Sequence, residues 1–208
     1  MRPTSKKPKH SARNAEITAL SHCKHIVCEK NVGRAAIRNH LADMANMPWL
    51  LFIDSDMRVV SPHFVERYLQ TSDEWGVVYG GNTTNGGAWN DERLLRVRYE
   101  QAAERQFTPQ QRAKHPYNHL TTSNILVSKR VMQAVPFDSR FLTYGYEDVF
   151  WGMSLAQKSI EVAHIDNPIG FNYYDSNVVF VGKTIEGLHT LYTRAFQLMV
   201  RTGNNTVI

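Results

Sequence analysis

Cysteine is scarce in this chain, with only Cys23 and Cys28 among 208 residues. Their spacing fits neither a disulfide framework nor a CxxC metal site, so we expect two reduced thiols in a reducing compartment. The sequence also lacks an apolar run of about 20 residues, the length that a membrane-spanning helix needs. The basic N-terminus is not followed by an apolar stretch, which argues against a secretory signal. These absences predict a cytoplasmic protein without a transmembrane segment.

The composition is that of an ordinary globular protein with an excess of positive charge. Hydrophobic residues make up 42% and charged residues 21%, and the net charge is +5. A basic protein suits an anionic partner such as a nucleotide, a nucleic acid or a membrane surface, and the charge does not choose among them. Residues 1–13 are rich in lysine and arginine, which predicts a disordered basic tail. We predict that residues 14–208 form a single domain.

One apolar stretch runs directly into two carboxylates. Trp49 to Ile53 are all apolar, and Asp54-Ser55-Asp56 follows them. The run has the length of a strand buried on both faces, as found in parallel sheets. Side chains two apart on a strand point the same way, so Asp54 and Asp56 would lie together at the strand end, where ligands bind in open α/β sheets. Such a pair suits Mg²⁺ or Mn²⁺ on a substrate phosphate, although two aspartates that simply solvate a strand end would give the same pattern.

The remainder of the chain alternates short strands with helices. The polar segment 108–118 is predicted as a loop, either a lid or a plain surface excursion. Glu147 and Asp148 fall in the first turn of a predicted helix, where the helix dipole alone favours carboxylates. Helices are predicted at 34–46, from 61–62 to 69, at 91–107, 129–135, 147–155 and 183–200; strands are predicted at 23–28, 76–79, 121–127 and 160–165.

Three stretches together indicate a family. Residues 31–39 (NVGRAAIRN) lead into 51–56 (LFIDSD), residues 122–125 (TSNI) precede a short helix, and residues 137–148 read FDxxFxxYGxED. In this order the chain resembles family 2 glycosyltransferases of the GT-A fold over roughly residues 23–168. Residues 183–188 (KTIEGL) are similar to a bacterial subgroup of that family.

The resemblance implies a fold and an activity. The expected fold is α/β and Rossmann-like, with a mixed, mostly parallel sheet flanked by helices. The family's first strand-helix unit has no counterpart before Cys23, so we expect an N-terminally truncated form. The implied function is metal-dependent, inverting transfer of a sugar, of the hexosyltransferase type, from a nucleotide-diphosphate sugar such as a UDP-sugar. The implied acceptor is a hydroxyl of a polysaccharide, glycolipid or glycoprotein, with a role in cell-envelope polysaccharide biosynthesis in the cytoplasm or at the inner membrane surface. No nucleic-acid partner is expected.

The resemblance also implies roles for the donor site. Asp54 and Asp56 correspond to the DXD motif. Asp56 would coordinate Mn²⁺ or Mg²⁺ on the donor diphosphate, while Asp54 would face the ribose or a metal-bound water. Gly33 and Arg38 would border the nucleotide pocket.

On the acceptor side, the resemblance implies that Asp148 is the general base that deprotonates the acceptor hydroxyl. Glu147 would help to hold the acceptor. Many relatives have a metal-binding histidine beyond the Glu-Asp helix, and His164 is the nearest candidate in this chain. Because His164 lies within a predicted strand, a core histidine is the alternative.

Three other functions fit parts of the sequence. The missing first unit suggests a catalytically impaired remnant that binds a carbohydrate or a partner protein. Phosphohydrolases of the haloacid dehalogenase type also have Asp-x-Asp after an apolar strand, but they require Thr or Val where this chain has Arg58. A nucleic-acid binder would rest on the basic tail alone.

Overall fold

The structure is a computed structural model, and it describes residues 16–71, 75–87 and 89–202, with side chains up to residue 197. It divides into two compact units, Met1–Val32 and Gly33–Ile208. The predicted tail, 1–13, lies outside the described residues. In the first unit, a 3-10 helix spans Glu16–Ala19, and residues 23–28 have no strand structure. The strand predicted at 23–28 is therefore wrong, because a short segment becomes a strand only when a partner completes its backbone hydrogen bonds.

The second unit contains the helices and strands that matter for the site. Every predicted helix and the other predicted strands are present, with ends shifted by at most six residues. The helices are α1 (Arg34–Met44), α2 (Phe64–Leu69), α3 (Leu94–Gln106), α4 (Pro109–Ala113), α5 (Lys129–Ala134), α6 (Glu147–Gln157) and α7 (Asn177–Thr202). The strands are β1 (Trp49–Ile53), β2 (Met57–Val59), β3 (Val77–Tyr79), β4 (Asn82–Thr83), β5 (Asn124–Ser128), β6 (Val162–His164) and β7 (Ile169–Phe171).

The strands form two sheets. The larger has the order β1-β5-β3-β6, and the smaller has the order β2-β7-β4. The expectation of a mostly parallel sheet is not confirmed, because β5 runs antiparallel to both β1 and β3, and β2 runs antiparallel to β7. The pairs β3–β6 and β4–β7 are parallel. β5 is antiparallel to β3 because the segment that contains α3 and α4 begins and ends at the same end of the sheet. β5 therefore starts beside the end of β3, with Ile125 opposite Tyr79.

The core lies on both faces of the larger sheet. Val77 and Tyr79 of β3 pack on one face with Trp151 of α6, whereas Val78 packs on the other face with Phe64 of α2. β1 is different, because it is the outermost strand of this sheet among the described residues and its last residue, Ile53, is 41% exposed. The prediction that β1 is buried on both faces is therefore wrong.

Several short helices and strands were not predicted from the sequence. The predicted polar loop 108–118 contains α4, which Thr108 caps by accepting a hydrogen bond from Gln111 N. The strands β2, β4 and β7 were not predicted, because two or three residues are too few to show a period. None of the helices in the described part of the chain is long and apolar enough to cross a bilayer.

A buried asparagine joins four segments beside the site. Asn124, at the start of β5, is fully buried, and its Nδ2 donates to Gly81 O at 2.7 Å and to Asn167 O at 2.9 Å. Its Oδ1 accepts from the hydroxyl of Tyr68 at 2.7 Å. Every polar atom of the amide is therefore paired, as a buried polar group requires.

We expect Asn124→Ala to lower the free energy of unfolding by about 3 kcal/mol, because it removes three buried hydrogen bonds that contribute about 1 kcal/mol each. Tyr68→Phe is the control, since it removes one of these hydrogen bonds, and it should cost about 1 kcal/mol. Urea denaturation measures both. A loss for Asn124→Ala no larger than that for Tyr68→Phe would contradict the assigned role.

Candidate active site

Three carboxylates predicted from the sequence line one cleft. Asp54 and Asp56 follow β1, Asp148 lies in the first turn of α6, and all three contribute to a cleft of about 390 Å³. The cleft has mainly polar walls, and Arg34 and Tyr144 also line it. The structure thus brings the predicted donor-side aspartates and the predicted base to the same cavity.

A tight turn holds the two aspartates at the end of β1. The ladder with β5 continues one residue past the strand, because Asp54 N donates to Ser123 O at 3.4 Å. Met57 N donates to Asp54 O at 3.0 Å, which closes the turn, and Asn172 N donates to Asp56 O at 2.9 Å. The backbone at the Asp-Ser-Asp segment is therefore anchored to both sheets.

Arg38 of α1 links the end of β1 to the start of α6. Its Nη1 donates to Glu147 Oε1 at 2.9 Å, and its Nη2 donates to Asp54 Oδ1 at 3.3 Å. Arg38 is 6% exposed and Glu147 is 3% exposed. A buried charge is tolerated only when it is paired, so each of these groups requires the other.

Arg38 and Glu147 therefore lie behind the cleft wall instead of lining it. Arg34, one turn before Arg38, lines the cleft and has its Nη1 3.8 Å from Glu147 Oε1. The guanidinium of Arg34 also lies over the ring of Tyr144, 4.6 Å from its centroid. The cationic side chain that faces the cleft from α1 is thus Arg34, and the sequence pattern had pointed to Arg38.

Gly33, the other residue expected at the nucleotide pocket, has a structural reason to be glycine. Its φ is +83°, and a Cβ there would lie 2.8 Å from Phe141 O. Gly33 does not line the cleft. Its role is structural, because the absence of a Cβ lets the start of α1 pack closely on the loop before α6.

The start of α6 is a sharp turn. Gly145 and Tyr146 both have positive φ values, +97° and +67°, before the helix begins at Glu147. A non-glycine residue in the left-handed region costs free energy, and such costs are often found at functional sites. The turn directs Glu147 inward to Arg38 and places Asp148 in the cleft lining.

The ionisation of Asp148 is strongly perturbed. Burial, together with the neighbouring charge of Glu147, raises the pKa of Asp148 to about 7, although Arg38 and the hydrogen bond from Val149 N act in the opposite direction. A carboxylate with a pKa near 7 can accept a proton at neutral pH more readily than an ordinary aspartate. A perturbed group in a cleft is a candidate for acid–base chemistry.

His164 does not join this group of residues. Its Nδ1 accepts from Arg112 Nε at 3.2 Å, and its Nε2 lies 2.9 Å from Pro116 O. Burial lowers the pKa of His164 to about 4. With both ring nitrogens engaged by protein groups and the ring edge-on to Tyr79, His164 has the environment of a core histidine.

A divalent cation in the cleft would have few protein ligands. No group of three or more His, Cys, Asp or Glu side chains within the described ranges could hold a metal ion alone. Asp54 and Asp56 offer oxygen ligands to the cleft. Mg²⁺ is commonly held by one or two carboxylates plus substrate phosphates, so this donor set fits a cation that arrives with a phosphorylated ligand.

The part of the cleft wall formed by α3 and the residues after β3 was not predicted from the sequence. Glu104 of α3 accepts hydrogen bonds from Thr83 Oγ1 at 2.5 Å, from Thr84 N at 2.9 Å and from Thr84 Oγ1 at 2.7 Å. Burial opposes ionisation here, but these hydrogen bonds outweigh it and hold the pKa of Glu104 below its usual value. The contacts join segments about 20 residues apart, and no local sequence pattern reveals them.

A comparison with protein families identifies the family of this chain. The sequence model of glycosyl transferase family 2 matches residues 10–135, which is more than half of the chain. This chain therefore belongs to glycosyl transferase family 2. A comparison with curated protein sequences gives no match.

The raised pKa of Asp148 has a consequence for stability. Between its ordinary value of 3.8 and about 7, the folded state holds the Asp148 proton that the unfolded chain has released, so this group lowers stability as pH rises through that window. Asp148→Asn removes the effect. We expect the variant to gain at least about 1 kcal/mol over wild type between about pH 4 and pH 8.

Denaturant unfolding of both proteins at the two pH values measures this difference. Asp43→Asn, on the exposed face of α1, is the matched control and should show no such pH-dependent gain. Parallel pH profiles for wild type and Asp148→Asn would show that Asp148 titrates normally.

Proposed function

We propose that this chain transfers a sugar from a nucleotide-diphosphate sugar to an acceptor hydroxyl, with a divalent cation and with inversion at the anomeric carbon. The observation that carries the proposal is the placement of Asp148, with its pKa of about 7, in the same cleft as Asp54 and Asp56. Membership of glycosyl transferase family 2 supports the reaction class.

The donor side of the proposed site is formed by Asp54, Asp56 and Arg34. The two carboxylates would hold Mn²⁺ or Mg²⁺, which would neutralise charge on the leaving diphosphate. The guanidinium of Arg34 lines the cleft, as do both carboxylates, so it supplies positive charge to the same anionic group. Arg38 holds the Asp54 carboxylate in place from behind the cleft wall.

The acceptor side depends on Asp148. Its carboxylate takes the proton of the acceptor hydroxyl while that oxygen attacks the anomeric carbon and the bond to the diphosphate oxygen breaks. A single base opposite the leaving group gives one displacement and hence inversion. Glu147 is 3% exposed and paired with Arg38, so we assign it a positioning role beneath Asp148. This assignment replaces the expected contact between Glu147 and the acceptor.

The substrates are proposed from the family resemblance and from the polar side chains that line the cleft. A UDP-hexose is the proposed donor, and a hydroxyl of a cell-envelope glycan or glycolipid is the proposed acceptor. The cleft walls offer hydroxyl, amide and carboxylate groups, which are the partners that sugar hydroxyls require; they include Asn82, Thr83, Thr84, Asn118 and Thr121.

We expect Asp56→Ala and Asp148→Asn each to lower the rate of sugar transfer at least about 100-fold while the fold stays intact. Release of UDP from a panel of UDP-sugars, in the presence of Mn²⁺ and mixed glycan acceptors, measures the rate. Asp43→Asn is the control and should keep the wild-type rate, because Asp43 is exposed on α1 outside the cleft lining. Wild-type turnover in both cleft variants would refute the site assignment.

Binding of the donor nucleotide can be tested without turnover. We expect calorimetric titration with UDP to show binding that strengthens at least about tenfold with Mn²⁺ and loses this dependence in Asp56→Ala. Binding of UDP without any hydrolysis or transfer would favour the impaired remnant that acts as a binding module. No UDP binding by a folded chain would contradict the proposed donor site.

A further inference from the structure

The outer side of α7 carries a stripe of exposed apolar side chains. The exposed fractions are high for residues of this type, ranging from 44% for Val181 to 83% for Val178. We call these six residues the α7 stripe: Val178, Val181, Ile185, Leu188, Tyr192 and Phe196. Single exposed apolar residues need no explanation, but a contiguous row of them marks an interaction surface.

The same helix contacts the rest of its unit through Phe180, whose ring centroid lies 5.4 Å from that of Tyr99, and otherwise largely through small and polar residues. Gly187 is buried beside the ring of Tyr146, and Thr190 donates its hydroxyl proton to Tyr144 O at 3.1 Å. Lys183 forms an ion pair with Asp175 at 2.6 Å. A surface helix ordinarily buries its apolar face, whereas α7 leaves most of its large apolar side chains exposed.

The spacing of the stripe is that of a helix-pairing seam. Positions 178, 181, 185, 188 and 192 alternate steps of three and four residues, which is the a/d pattern of a coiled coil. Gly182, Thr184 and His189 flank the seam, so no lysine, arginine or carboxylate lies along its edges in this stretch. Two copies of the stripe would meet without charge repulsion, whereas a helix that binds an anionic membrane surface typically carries lysine and arginine beside its apolar face.

The size of the stripe matches a dimer interface. The exposed fractions of the six side chains correspond to roughly 600–700 Å² per helix, so two fully covered stripes would bury about 1,200–1,400 Å², which is within the range of stable interfaces. We propose that α7 is a homodimer interface, in which the stripe of one copy packs against the same stripe of a second copy of this chain.

The test compares the full chain with two variants of equal charge change. Leu188→Glu/Tyr192→Glu places two carboxylates in the stripe, and Thr193→Glu/Gln197→Glu places two on α7 outside the stripe and the residues that flank it. Sedimentation-velocity ultracentrifugation should give twice 23.8 kDa for wild type and for the control pair, and 23.8 kDa for the stripe pair. Circular dichroism should show the same helix content in all three.

Two results would overturn the proposal. One is a wild-type chain that is monomeric over the whole accessible concentration range. The other is a stripe pair that remains folded and dimeric. Co-sedimentation with phosphatidylglycerol vesicles tests the alternative that α7 binds a lipid surface. That alternative would be supported if the wild-type chain were monomeric and bound the vesicles while the stripe pair did not bind them. If the double variant fails to fold, the single variant Tyr192→Lys, at a position 72% exposed, is used in its place.

Discussion

The buried guanidinium of Arg38 is the interaction on which the site depends. It contacts a carboxylate from the end of β1 and another from the start of α6, two segments that lie far apart in the chain. Because Arg38 and Glu147 are both almost inaccessible to water, neither can lose its partner without leaving an unpaired buried charge. This pair links the end of β1, with Asp54 and Asp56, to the start of α6, with Asp148.

Asp148 acquires its properties from that arrangement. Burial, together with the neighbouring charge of Glu147, raises the pKa of Asp148 to about 7, and Arg38 holds Glu147 in place by an ion pair. The left-handed turn at Tyr146 then places Asp148 in the cleft. A residue type that is normally a weak base is thereby adjusted to accept a proton near neutral pH.

The antiparallel strand β5 also positions residues of the cleft. It lies between β1 and β3, so its first residues meet the ends of both, and its buried Asn124 holds the loop after β3 and the loop before β7. The polar segment before β5, residues 121–123, consequently lines the same cleft as Asp54 and Asp56. α7, whose Lys183 lines the same cleft, carries a different kind of surface elsewhere, where apolar side chains remain exposed.

The sequence alone determined the elements whose patterns are local. The apolar run of β1, the carboxylates that end it and the first turn of α6 could be predicted from residues close together in the chain, and the family from several such stretches in order. The tertiary structure decided the direction of β5, the burial of Glu147, the paired ring of His164 and the presence of Arg34 in the cleft. These features depend on contacts between residues far apart in the chain, such as the 109-residue separation between Arg38 and Glu147, and no local period or spacing encodes them.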